Sequence, residues 1–447
     1  MSTWKRWRAV VATAMAVVAM VPTPAMAWGD VRTLSPSDET ALKPQMAVAR
    51  DGTITVVWQA LNENSRWMVR AIRRPSGGGW SDPVVISNPG VVNDEGRGPG
   101  IVVDRAGVVT VVWARRVSGE SRIEAARHRP GEGWSDPTLV RETGWYVGMP
   151  DVAIDANGRI YVAWDRSRGL EPTEREVEVA RRTSQGWSAS TSVSDAAEQA
   201  EESQIVTDAE GNATVAWLRR SGPGDDPIYR LRAARRPDGE TWGAPITLSG
   251  TSVGFFDLDA DTGGAVAIGL QRLTDTNLIV EAIRRPPGGP WGEPRRLSRP
   301  GLPAFDLAID ASGGEILLAL VQIVEETNYE SRVLAARWAD GSWRDLRAVS
   351  GRHGGLYGLE LDFNSEGRAL VAWTRDHDQY DGEDPETVRA AQLQGDGTWT
   401  DEVRLSSTER QSYLGDVVLR RSGNAYVVWD SIRSDYTGNT VIQFIQN

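Results

Sequence analysis

Five arginines fall at one register: Arg115, Arg166, Arg219, Arg272 and Arg375 each stand two residues after a Trp or Leu that recurs every 50 to 56 residues. Guanidinium groups brought together by such a repeat would form a collar for carboxylates or sulfates, which they grip through paired hydrogen bonds. The same spacing also fits a quieter role, ion pairing that fixes loops. Of 49 basic residues only Lys5 and Lys43 are lysines, so arginine is this chain's general-purpose cation. A second set, Gln45, Asp151, Gln204, Asp257, Asp306, Glu360 and Asp416, heads a series of short apolar strands. Oxygen groups of this kind, pointed at a channel mouth, suit either a hard cation or a wetted rim. Asp376, Asp378 and Asp381 lie with Gly382 in an acidic stretch, but its spacing departs from the Asp-x-Asp-x-Asp-Gly series of calcium loops. Calcium there is the one named cofactor that the sequence raises. Trp67, Trp145 and Tyr146 break the register kept by the other aromatic residues, and rings so placed can stack on sugars.

Other catalytic constellations are missing. His128, His353 and His377 occupy unrelated repeat positions, which gives neither a zinc spacing nor a Ser-His-Asp set. Runs such as Pro287-Gly288-Gly289 lack the strand-to-helix context of a phosphate loop and read as turns. Carboxylates for glycoside hydrolysis are plentiful, yet their separation in space is not written in the sequence.

What must position these residues is a repeat. Gly52, Gly107, Gly158, Gly211, Gly264, Gly314, Gly367 and Gly423 are each followed six residues later by Trp58, Trp113, Trp164, Trp217, Leu270, Leu320, Trp373 and Trp429. Within one repeat, Ile101 to Asp104, Val108 to Trp113, Arg122 to Arg127 and Trp134 to Val140 read as four short strands separated by turn residues. A second turn leads into Trp80, Trp134, Trp187, Trp242, Trp291, Trp343 and Trp399, so seven repeats are complete. The eighth stops after its third strand, Val441 to Ile445, and the missing fourth matches residues 28–35 at the other end. The expectation is an all-β, eight-bladed β-propeller with four strands per blade. Pairing of the mature N-terminal strand with the three C-terminal strands would close it and hide the blade edge. Aromatic residues that recur once per blade belong to the packing between blades.

Blocks such as Pro150-Asp151-Val152-Ala153-Ile154-Asp155-Ala156-Asn157-Gly158 through Trp164, and Gly133-Trp134-Ser135-Asp136-Pro137, resemble exported bacterial β-propellers loosely grouped with sialidase-type repeat proteins. The resemblance covers essentially the whole chain beyond the leader. It implies a fold that serves lectins, hydrolases, lyases and scaffolds alike. The Ser-x-Asp-x-Gly-x-Thr-Trp box of sialidases is absent, since here six residues rather than three separate Gly from the aromatic.

Residues 1–27 read as a secretory signal: Lys5, Arg6 and Arg8, an apolar run from Ala9 to Met20, then Ala25-Met26-Ala27 before Trp28. The apolar run is too short to span a bilayer. A chain with no Cys has no disulfide framework, so residues 28–447 are expected to form one propeller domain held by its hydrophobic core. The net charge of −12 argues against nucleic acid and anionic membrane as partners. Loops between second and third strands vary in length while the Gly turns on the opposite face do not, and a variable face is where binding is expected. Taken together, the sequence reads as a secreted, monomeric, non-enzymatic binding module for a glycan or an extracellular protein. Two other readings stay open: a sialidase-like or other glycan-cleaving hydrolase or lyase, and a scaffold subunit of a secreted complex.

Overall fold

Each repeat alternates β-branched and small apolar residues between turns that need a glycine, so each folds as consecutive hairpins. Gly52, for example, turns the chain with φ 92°, a conformation that any side chain would strain. A computed structural model of the chain describes residues 27–447 apart from residues 65, 89–90, 93–97, 118, 145, 149, 168–173, 196–197, 223–226, 251, 326–329, 377–384 and 435–436. The described residues hold strands and no helix.

Eight antiparallel sheets form eight blades. The inner strands are Thr40–Val48, Gly100–Val103, Asp151–Ile154, Ala200–Thr207, Val253–Ala260, Ala304–Ser312, Gly355–Phe363 and Arg410–Leu419 for blades 1 to 8. Each pairs with a second strand that carries the repeated Trp or Leu: Ile54–Leu61, Val109–Val117, Ile160–Ser167, Ala213–Ser221, Val266–Leu273, Glu315–Glu325, Ala369–Asp376 and Ala425–Arg433. Every inner strand packs against that of the next blade, and blade 8 packs against blade 1, so the ring is closed around a central channel.

Closure follows the expected route. Arg32–Thr33 adds the fourth strand to blade 8 by pairing with Val441–Gln446, Arg32 opposite Phe444. Backbone bonds from Gly29 N to Gln446 O and from Leu34 N to Ile442 O, both 2.8 Å, extend the seam. Leu34 is buried in the blade 1 and 8 cluster, and Trp28 packs against the blade 7 and 8 cluster.

The core lies between blades. Trp373, for instance, sits in a cluster with Ala308 and Leu317 of blade 6, and Trp58 sits with Tyr426 and Val428 of blade 8. Trp58, Trp113, Trp164, Trp217, Trp373 and Trp429 are fully buried, as are Leu270 and Leu320. One large apolar side chain per blade, always at the same register, spreads the hydrophobic stabilisation evenly around the ring.

Candidate functional site

Strand register fixes which side chains share a level of the channel. Opposite the residue that precedes each repeated Trp or Leu stand Gln45, Gly100, Asp151, Gln204, Asp257, Ala308, Glu360 and Asp416. In blade 6 the residue at this level is Ala308 rather than Asp306, which lies two residues earlier, beside a break in the strand register.

The aspartates of this set bond forward to the next blade. Asp151 accepts from Ile205 N at 2.7 Å, Asp257 from Ile309 N at 2.8 Å and Asp416 from Met46 N at 2.7 Å. In each case the second carboxylate oxygen accepts the amide of the following residue on its own strand. Asp306 likewise accepts from Leu359 N of blade 7 at 3.2 Å. Gln204 donates across to Phe256 O of blade 5. These groups staple neighbouring inner strands together while their edges face the lumen.

Above this level the inner strands bulge. Lys43 (φ 55°), Glu202 (φ 55°) and Asp306 (φ 51°) adopt the left-handed backbone conformation that β-carbons disfavour. Gly358 takes the same conformation in blade 7. Local strain repeated around one mouth is the kind of distortion found where side chains are re-aimed for function. A cavity of about 650 Å³ opens there, set toward blades 5 to 8 and blade 1. Its polar wall is Lys43, Gln45, Asp257, Asp306, Glu360, Tyr413 and Asp430, and Phe255, Leu307, Leu359 and Leu414 supply apolar surface. The size lies within the range of small-molecule sites.

The electrostatics of this mouth are acidic. Burial pushes Asp430 up to about 7 against the bond from Lys43 N and the Lys43 charge. Burial likewise takes Asp416 to about 7 and raises Asp306. Lys43, the one lysine of the described chain, is held tightly from behind: a β-carbon on Gly98 would lie 2.3 Å from its carbonyl oxygen. Gln45 donates to Gly415 O at 3.1 Å.

Three of the five register arginines form ion pairs within their blades. Arg115 bonds Glu124 at 2.9 Å, Arg166 bonds Glu176 at 2.8 Å and Glu178 at 2.9 Å, and Arg272 grips both oxygens of Glu281. Glu124, Glu178 and Glu281 are the cross-strand partners of Trp113, Trp164 and Leu270. Where that third-strand position is Arg instead, the polarity reverses: Arg70 pairs with Glu39, Arg232 with Glu198 and Arg389 with Glu402. Arg219 stands in such a reversed blade, with Arg230 as its cross-strand neighbour and no carboxylate at ion-pair distance among the described residues. Arg375 stands in a second, the blade of Arg389, and it is engaged.

Trp67 and Tyr146 lie on different blades. Trp67 begins the third strand of blade 1 and packs against the blade 1 and 2 cluster. Tyr146 lies on blade 3, with the Arg175 guanidinium 4.7 Å above its ring. Trp145, Asp378 and Asp381 lie outside the described residues, and Asp376 ends the second strand of blade 7. Among the described residues no group of three or more His, Asp or Glu side chains is arranged to hold a metal ion.

One grouping escaped the sequence reading. His353 Nε2 lies 2.8 Å from Glu402, which also takes Arg389 and the Gly351 amide. Burial works against ionisation of Glu402, but the bond from His353, the Gly351 amide and the Arg389 charge hold it down to about 2. The grouping clamps the loop between blades 6 and 7 to the outer edge of blade 7.

No family model matches the chain, and no curated protein matches it. Among solved structures it is similar to an ulvan lyase of polysaccharide lyase family PL25, at 11% identity with a TM-score of 0.50, over 91% of this chain and 94% of that one. It also matches the β-propeller domain of the Trilobed protease from Pyrococcus furiosus, at 10% identity and a TM-score of 0.47, over 83% of this chain and 96% of that one. A third match is the GH93 α-L-arabinofuranosidase of Fusarium graminearum, at 14% identity and a TM-score of 0.41, over 68% of this chain and 96% of that one. At 11% identity the likeness to the ulvan lyase speaks for the fold alone. No helix among the described residues is long and apolar enough to cross a membrane.

Proposed function

We propose that this is an exported glycan-binding propeller whose site is the pocket at the channel mouth, and that it takes uncharged sugar units. The observation that carries the reading is the lining. Carboxylates, an amide, an ammonium and a phenol converge on one cavity beside the apolar faces of Phe255 and Tyr413. Sugars present hydroxyls around a ring with an apolar face, which such a wall matches group by group. Asp257, Asp306 and Glu360 would accept from hydroxyls, while Lys43 and Gln45 would donate. Uronates and sulfates would meet a wall whose acids outnumber its one cation, and this disfavours them. The basic start, apolar run and Ala-Met-Ala of residues 1–27 support action outside the cell.

Glycan arrays probed with the mature chain, followed by calorimetry on the best neutral hit, test this directly. Glu360→Gln and Lys43→Met should each weaken binding roughly 10-fold or more, the loss of one charge-assisted hydrogen bond. Arg272→Gln, which removes an ion-paired residue outside the pocket, should leave affinity unchanged. Binding indifferent to both pocket substitutions, or preferred binding of acidic glycans, would overturn the assignment. Release of sugar from a bound glycoside, abolished by a pocket carboxylate substitution, would move the protein to the enzymes.

A further inference from the structure

One level below the mouth, the channel wall changes character. Opposite the residue three before each repeated Trp or Leu stand Ala47, Val102, Ala153, Val206, Asp259, Asp310, Asp362 and Val418. Five of these eight are Ala or Val, and the three acids are consecutive around the ring. Each acid also bonds forward: Asp259 accepts from Ala311 N at 2.7 Å, Asp310 from Phe363 N at 2.6 Å and Asp362 from Leu419 N at 2.7 Å. The carboxyl groups of Asp259 and Asp362 both lie against that of Asp310. Two carboxyl groups hydrogen-bond to each other only when one carries a proton, so this grouping favours a shared proton.

We propose that Asp259, Asp310 and Asp362 form a proton-dependent latch that holds blades 5 to 8 together in mild acid and loosens them as the pH rises. Because blades 5 to 7 also supply Phe255, Asp257, Asp306 and Glu360 to the pocket, the latch makes ligand binding stronger in acid. That last step rests on the glycan-binding reading. The latch itself does not.

The surroundings offer no compensation. The groups facing the three acids are Asp257 on blade 5, Asp306 on blade 6, Glu360 on blade 7 and Asp416 on blade 8, all of which add negative charge. Across the lumen lie Ala47, Val102, Ala153 and Val206, with Gln45, Asp151 and Gln204 one level up. Lys43 sits at the mouth beside Asp430, on the far side of that level. Burial, above all, raises Asp259 and Asp362 to about 6 and raises Asp310 well above the usual carboxyl range, with the neighbouring acids adding to the shift. Folded-state values above the unfolded ones mean that the protonated form favours folding. The stabilisation is therefore complete below the ordinary Asp range and is lost as the pH rises through about 6 and beyond.

Asp310→Asn is the decisive variant, because an amide can donate to one neighbour and still accept from Phe363 N at any pH. Thermal midpoints and amide hydrogen exchange, corrected for the intrinsic pH dependence of exchange, should be followed from pH 5 to 8. In the wild-type chain the midpoint should fall by roughly 5 °C or more. Corrected exchange at Ala311, Phe363 and Leu419 should rise about 10-fold. In Asp310→Asn the exchange change should be at least halved and the midpoint change reduced, since Asp165, Asp416 and Asp430 still titrate in this range. Asp259→Asn combined with Asp362→Asn provides a second route should the single variant fold poorly, and it should flatten the exchange profile too. Asp165→Asn is the control, because burial raises that carboxyl to about 7 in blade 3; it should alter the midpoint profile and leave exchange at the three channel amides pH-dependent. Parallel profiles for wild type and both latch variants would overturn the proposal. Flattened exchange without any pH dependence of glycan affinity would keep the latch and remove only its link to the pocket.

Discussion

Removing residues 28–35 from a chain that begins at Trp28 should lower its thermal midpoint by on the order of 10 °C, an effect far larger than trimming a tail. The segment completes blade 8 rather than decorating it. Its loss removes the Gly29 and Leu34 backbone bonds and the bond from Ile442 N to Ser35 Oγ, and it leaves Val441–Gln446 as a bare edge. It also takes Leu34 out of the cluster that joins blades 1 and 8 and Trp28 out of the next one. Leu34→Ala alone should cost about 2–4 kcal/mol, the usual loss for emptying a buried leucine site. Calorimetry of the two variants against the chain of residues 28–447, with light scattering to detect edge-to-edge association, measures both. A midpoint unchanged by the deletion would mean that the ring is closed by something other than this strand.

Glu124→Ala should be the most damaging single substitution of a charged residue in blade 2, at about 3–5 kcal/mol. Arg115 and Glu124 keep only 10% and 6% of their side-chain surface exposed, so truncating one strands the other charge in the protein. Replacing both, as Arg115→Met with Glu124→Leu, should restore most of the loss, since a buried pair often gives way to apolar packing at little cost. Denaturant titration of the two variants and of Arg115→Met separates the pair's own worth from the penalty of breaking it. Were Arg115 held ready for an external anion instead, Glu124→Ala would leave stability almost untouched. The arginine register would then be a binding collar after all.

The architecture could be read from the sequence because its signals are periodic. Spacing gave the blade number, and the match of residues 28–35 to complete repeats gave the closure. The channel acids were legible in part, since Asp151, Asp257, Glu360 and Asp416 share a level as their repeat position implies. Asp306 left that level because a bulge shifts register without changing the hydrophobic pattern, and nothing in an alternating run marks where a bulge falls. The arginine pairing needed one more step, that the residue cross-strand from each Trp carries the matching charge. Glu at 124, 178 and 281 against Arg at 70, 232 and 389 was visible, but it has meaning only once the third-strand register is known. Asp259, Asp310 and Asp362 passed unnoticed although three successive repeats carry an acid where the rest carry Ala or Val. Lys43 was seen as a rarity and not as a pocket wall, because its place there depends on a backbone conformation that side-chain identity does not encode.

The inner-strand aspartate staples all run the same way round: carboxylate on one blade, amide on the next, from Asp151 toward blade 4 through to Asp416 toward blade 1. The ring thus has a direction, and each such bond ends on a backbone amide at the same strand position of the following blade. A circularly permuted chain, opened at the Gly turn of any blade and joined across the present ends, would keep every one of these bonds. Exchanging two blades would still offer each carboxylate an amide, because every blade carries one at that position. The handedness of the stapling is fixed chemically even though its starting point is not.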